Sequence, residues 1–216
     1  MTLRERLDAL RNQRSAIPEL HEPYEAMMAE LRRTDFLEHA LRAGDRFPDF
    51  MLPNAEGRLI TLEDLLAEGP LVLTFFRGDW CPYCRVVLDA LEEMQRPITE
   101  QGATLAAVTP DSGGRALEAK KQHGAHYEIL SDLDNGVGLQ CGVVFRLPDH
   151  YRRLLERYDI DLGKRHGNGG WFLPVPATYI LDRDKVIRWE FLDLDFTRRA
   201  EPSTILESLT KLRRDS

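Results

Sequence analysis

The stretch Thr74-Phe75-Phe76-Arg77-Gly78-Asp79-Trp80-Cys81-Pro82-Tyr83-Cys84 joins an apolar run to a pair of cysteines. The run from Leu71 to Phe76 predicts a short buried strand. Arg77, Gly78 and Asp79 supply a tight turn, and Pro82 suits the first turn of a helix, where its missing N–H is not needed. Val86, Val87, Leu88, Leu91 and Met94 then recur at helical spacing. Cys81 therefore falls at the helix N-cap and Cys84 one turn inside, on the same face. The partial positive charge and free N–H groups of a helix N-terminus favour a thiolate. Thiols in such Cys-x-x-Cys sites can titrate well below the ~8.5 of a free cysteine. The expectation is a two-electron redox switch on a strand–turn–helix scaffold.

Other readings of the pair are weaker. Structural zinc usually takes four ligands from two such pairs, but the only other cysteine is Cys141. His21, His39, His123, His126, His150 and His166 show no paired ligand spacing, so no metal or cofactor is expected. Two inert buried thiols would not account for Trp80 and Pro82 around them, and a reducing compartment would not keep a passive disulfide. Cys141 reads as a small buried apolar residue, or less plausibly as a distant resolving thiol.

The chain has 216 residues, with 29 Lys plus Arg against 36 Asp plus Glu, a formal charge of −7. That balance argues against nucleic acid as a partner. Met1-Thr2-Leu3-Arg4-Glu5-Arg6 lacks a secretory apolar core, and no run is long and apolar enough to span a membrane. A cytoplasmic setting is expected.

Residues 1–43 read as a helical arm. Leu3, Leu7 and Leu10 form a narrow stripe, a break falls at Ile17-Pro18, and a second helical pattern runs from about Glu22 to Leu41. Such a stripe needs a partner, either the chain's own domain or a second copy in a homodimer. The redox domain spans 44–216. Short strands are expected at 50–52 and 59–60, and a helix capped by Thr61 with Asp64 three residues on. Pro97 is expected to bend or shorten the active-site helix. Strands follow at 103–108, 127–130 and 143–145, with helices at 112–123 and 135–140. Ala177–Leu181 and 186–191 form a hairpin, and Ser203 caps a last helix to about Leu212. This alternation implies an α/β fold whose mainly parallel sheet carries helices on both faces. Residues 147–174 read as an insertion, helical to Tyr158 and then a glycine-containing loop, solvated or acting as a lid or interface.

Trp80-Cys81-Pro82-Tyr83-Cys84 resembles the active-site turn of the thioredoxin superfamily. Gly44-Asp45-Arg46-Phe47-Pro48-Asp49-Phe50, Gly57, Leu71 to Phe76 and Ala177 to Asp182 resemble the frame of its peroxiredoxin (AhpC/TSA) branch. The likeness covers about 44–192 and implies a thioredoxin-like fold: a central mixed sheet flanked by helices, here with an N-terminal helical extension. It also implies that Pro176 is the cis-proline facing the cysteines, and that Trp80, Pro176 and Thr178 contact substrate.

The likeness carries a conflict. The peroxiredoxin pattern Pro-x-x-x-Thr-x-x-Cys sets Arg77 at the Pro, Cys81 at the Thr and Cys84 at the peroxidatic cysteine. Pro176 stands where a later-strand Arg is expected. Peroxide cleavage needs a preorganised donor for the leaving oxygen, so Arg77 is the candidate to replace that Arg beside the sulfurs. The resemblance implies an antioxidant peroxidase in which Cys84 attacks a hydroperoxide, Cys81 closes a disulfide and a thioredoxin-like donor reduces it. The alternatives are a thiol-disulfide oxidoreductase with Cys81 as nucleophile, or a redox-sensing interaction protein.

Overall fold

In the computed structural model, which describes residues 1–112 and 114–215, the chain opens with a capped helix, α1 (Leu3–Ser15). Thr2 Oγ1 accepts from the Glu5 N–H, and Glu5 accepts from the Thr2 N–H at 2.7 Å. Helix α2 runs from Pro18 to Leu31, so the expected break falls at Ala16 and Ile17 between the two helices, and Pro18 opens the second one four residues before the pattern does. It ends ten residues before the pattern does. The Thr34 hydroxyl donates to the Leu31 carbonyl at 2.7 Å and takes over a helical acceptor. Only a single 3-10 turn follows, at Phe36–His39.

A small hairpin, β1 (Met51–Pro53) and β2 (Leu59–Thr61), leads into α3 (Leu62–Leu66). The expected capping box forms there, with the Asp64 N–H donating to Thr61 Oγ1 at 3.1 Å. Next come β3 (Leu71–Phe75), α4 (Pro82–Glu100), β4 (Thr104–Thr109), α5 (Arg115–Gln122) and β5 (Glu128–Ser131). Pro97 does not shorten α4, which continues through it. The helix expected at 112–123 starts only at Arg115, and Gly113, within the expected range, lies outside the described residues.

The second half holds α6 (Gly136–Gln140), β6 (Val144–Arg146), α7 (Asp149–Arg157), α8 (Leu162–His166), β7 (Phe172–Pro174), β8 (Ala177–Leu181), β9 (Ile187–Leu192) and α9 (Pro202–Asp215). The last helix thus takes Pro202, not Ser203, as its opening residue.

The main sheet has the order β5-β4-β3-β8-β9, with β3, β4 and β5 parallel and β8 and β9 antiparallel. It is mixed and flanked by helices. β3 is central, so all five of its residues are buried, which explains an apolar run without alternation. The cysteine turn leaves the carboxyl end of this central strand.

Two sequence expectations resolve here. Leu3 and Leu7 are buried, and α1 packs on α4 of its own chain, with Arg6 paired to Asp89 at 3.5 Å and Glu93 at 3.2 Å. The stripe therefore packs against its own chain. Residues 147–174 are not a solvated loop. Leu162, His166, Trp171 and Leu173 are buried, and β6 pairs with β7.

Candidate active site

The turn between β3 and α4 tolerates little substitution. Gly78 has φ +124°, and a Cβ there would lie 2.5 Å from Asp111 Oδ2 and 2.6 Å from Trp80 Nε1. Trp80 Nε1 donates to the Arg77 carbonyl at 2.9 Å, and Cys81 N–H to the Gly78 carbonyl at 3.2 Å. The Asp111 carboxylate takes the Asp79 N–H and pairs two-pronged with Arg165 of α8, at 3.1 and 3.0 Å. Burial pushes the Asp111 carboxyl up, opposed by Arg165. On the other side, His123 bridges Asp79 at 2.8 Å and Asp89 at 2.6 Å. Burial pulls this imidazole down, but Asp89 and Asp79 together outweigh it and its pKa is raised.

Cys81 is the N-cap of α4 and Cys84 lies in its first turn, both buried and both free thiols. Their surroundings separate them. The Cys84 thiol hydrogen-bonds to the Cys81 sulfur, and this contact, opposed by burial and aided by Arg77 and Arg199, holds Cys81 down to about 5. Burial, then the hydrogen bond to Cys81 and the charge on that sulfur, pushes Cys84 up. The first ionisation of the pair therefore belongs to Cys81.

Arg77 is 1% exposed. Its guanidinium stacks on Phe196 at 4.0 Å and Trp80 at 4.9 Å, with the Tyr151 hydroxyl as a polar neighbour, and none of its three side-chain nitrogens makes a well-aligned hydrogen bond among the described residues. Arg199 approaches from the segment before α9, its Nη2 3.6 Å from Cys84 Sγ. Nothing in the sequence pattern singled out Arg199. It lies 115 residues from Cys84, and only the return of the chain beside α4 brings the two together.

A cavity of about 340 Å³ opens over Cys81, walled by Arg77, Trp80, Tyr83, Tyr151 and Phe196, with Arg14, Leu10 and Leu20 from the arm. This is the size of a small-molecule site. The arrangement sets a thiolate at the edge of an apolar cavity, beside a cation whose donors are free, with a second thiol behind it.

The remaining predicted residues lie elsewhere. Pro176 is buried but is not cis: no cis peptide occurs among the described residues. The Val175 N–H donates to the Val143 carbonyl at 2.7 Å, so the β6–β7 ladder runs extended into β8. Neither Pro176 nor Thr178 lines the cavity. The Thr178 hydroxyl is hydrogen-bonded to Thr74 Oγ1 at 2.9 Å inside the sheet. Cys141 is fully buried, and burial raises its thiol far above the ordinary range. It is ill suited to resolve a sulfenic acid.

Comparison with known proteins places the chain in a family. The sequence profile of the AhpC/TSA family matches residues 43–190. A Mycobacterium tuberculosis protein named as a peroxiredoxin is 23% identical over 174 residues, 80% of this chain and 99% of its own. The thiol-disulfide oxidoreductase ResA of Bacillus subtilis is 22% identical over 153 residues, 70% of this chain and 68% of its own. The crystal structure of peroxidoxin BcpB from Mycobacterium tuberculosis superimposes with a TM-score of 0.63 at 21% identity, covering 81% of this chain and 97% of that one.

Proposed function

Since the chain belongs to the AhpC/TSA family, we propose that it is a thiol-dependent peroxidase in which Cys81 attacks the hydroperoxide and Cys84 resolves the product. One observation carries the assignment of roles: the thiol held in its ionised form is the one lining the cavity, while the other is fully buried behind it.

The Cys81 thiolate attacks the terminal oxygen of R–O–OH. An S–O bond forms, the O–O bond breaks and RO⁻ leaves, taking a proton from water to become ROH. Cys81 is now a sulfenic acid. Arg77, with donors unengaged, stabilises the charge that develops on the leaving oxygen. Cys84 then loses its proton, which the Arg199 guanidinium beside its sulfur assists. It attacks the Cys81 sulfur, an S–S bond forms, and hydroxide departs and is protonated to water. A thioredoxin-like dithiol protein reduces the disulfide by two exchange steps and is itself oxidised. A cytoplasmic, reducing setting fits this cycle.

The test is single-turnover oxidation followed by intrinsic fluorescence, on wild type, Cys81→Ser and Cys84→Ser. Rapid peroxide oxidation kept in Cys84→Ser and lost in Cys81→Ser is expected. The reverse result would restore the assignment drawn from the peroxiredoxin register. No reaction with peroxide, alongside Cys81-dependent disulfide reduction, would make the protein a thiol-disulfide oxidoreductase.

A further inference from the structure

The cavity over Cys81 holds more buried donors than a peroxide needs. Nε and Nη1 of Arg14, all three nitrogens of Arg77 and Tyr83 Oη are buried without a hydrogen-bond partner among the described residues. All three side chains line this one cavity. Buried donors are normally paired, so such a group calls for a ligand with acceptors. Arg77 lies beside Cys81, where the reacting oxygens would bind. Arg14 does not: it stacks on Tyr24 at 3.5 Å and lies 6.0 Å from the Tyr83 ring. Both rings meet Phe196 edge-on, and Arg77 lies on Phe196, so one layer of rings separates the two guanidiniums. Asp195, the nearby carboxylate, accepts from Tyr24 and Thr197 and lies 3.8 Å from Arg198; Arg14 acts on it through its charge, but Arg14 Nε and Nη1 make no hydrogen bond to it.

The wall around these cations is apolar, formed by Leu10, Ile17 and Leu20 of the arm and Leu154 and Leu155 of α7. Hydrogen peroxide would use neither the wall nor a second cation. Arg14, the arm's apolar residues and Phe196 lie outside the 43–190 family match, so one side of the pocket is supplied from outside the matched segment.

We propose that the cavity is a specificity pocket for hydroperoxides of apolar carboxylic acids. The hydroperoxyl group sits at Cys81 and Arg77, the hydrocarbon lies against the arm, and the carboxylate pairs with Arg14. This deepens the peroxidase reading and rests on it. In a chain of formal charge −7, a cationic pocket also concentrates an anionic substrate at this one place.

The test compares a straight-chain carboxylic acid hydroperoxide with its methyl ester in wild type, Arg14→Gln and Arg14→Lys. In wild type, kcat/KM for the acid should exceed that for the ester by at least about tenfold, the scale of a charge-assisted hydrogen bond. The ratio should fall toward one in Arg14→Gln and be partly kept in Arg14→Lys. Equal rates in wild type, or a ratio unchanged in Arg14→Gln, would overturn the proposal. Calorimetry of reduced protein with dodecanoate and dodecanol needs no turnover. Tighter binding of dodecanoate that is lost in Arg14→Gln supports the pocket. If dodecanoate binds in this way yet no hydroperoxide reacts, the peroxidase reading fails while an apolar-acid site remains. If neither dodecanoate nor dodecanol binds, and a trapped mixed disulfide with thioredoxin buries Leu20, the cavity belongs to the reductant and the proposal falls.

Discussion

Cys81 and Cys84 are chemically alike in the unfolded chain and become different only through their neighbours. Alkylation of Cys81 by iodoacetamide should show a pH midpoint near 5. Cys84→Ser should move it, because the Cys84 thiol is the largest stabilising contact. Arg77→Met should raise the midpoint by about one unit, the lower end of the effect of a nearby opposite charge. An unchanged midpoint in Arg77→Met would show that this guanidinium does not act on the sulfur. Arg199→Met should slow disulfide closure more than sulfenic acid formation, since its contact is with Cys84. Stopped-flow traces resolving the two phases would show this. Of these residues, Cys81, Cys84 and Arg77 were legible in sequence because all lie within eight positions on one turn. Arg199 and Arg14 were not, because their roles depend on distant segments returning to the same place.

At the scale of elements, α8 is the unexpected contributor. Arg165 pairs with Asp111, which also takes the Asp79 N–H, so a helix from the supposed insertion fixes the turn that carries the cysteines. Arg165→Met would leave Asp111 buried and unpaired, at a cost of about 3–5 kcal/mol, read from urea unfolding. Adding Asp111→Asn should recover part of the loss. No recovery would mean that Arg165 matters for packing rather than for the pair. The arm offers a second check. Leu7→Ala removes a side chain buried at the α1–α4 contact and should cost about 2–5 kcal/mol. A cost near zero would mean that the arm is detached in solution. The glycines and polar residues of 163–171 gave no periodicity, so neither the turn of helix nor its buried anchors at Leu162 and Trp171 was visible in sequence.

For the whole molecule, the depressed Cys81 thiol links folding to redox state. In the unfolded chain this thiol titrates near the ordinary value; in the folded dithiol form it titrates near 5. A folded pKa below the unfolded one contributes stability that is complete above the unfolded value and is lost as pH falls through about 5. Between those limits the reduced protein should gain stability relative to the disulfide form as pH rises. The melting temperature of the reduced form minus that of the disulfide form should therefore increase from pH 5 to 8. Cys81→Ser should show no such pH-dependent change in the difference between the two redox treatments. Parallel curves in wild type would contradict a thiolate at Cys81 in the folded state.

The strand–turn–helix around the cysteines, the alternation of strands and helices and the closing hairpin could all be read from local pattern. Each depends on side-chain periodicity and turn chemistry within a few residues. Folding in three dimensions added what no local window contains. It set β3 at the centre of a mixed sheet and buried the arm's leucines on α4. It extended the chain through Pro176 with a trans peptide, and it brought Arg199 to one thiol and the arm's cavity to the other. The difference between the two cysteines belongs to this second group, because burial and neighbouring charge exist only once the chain has closed on itself.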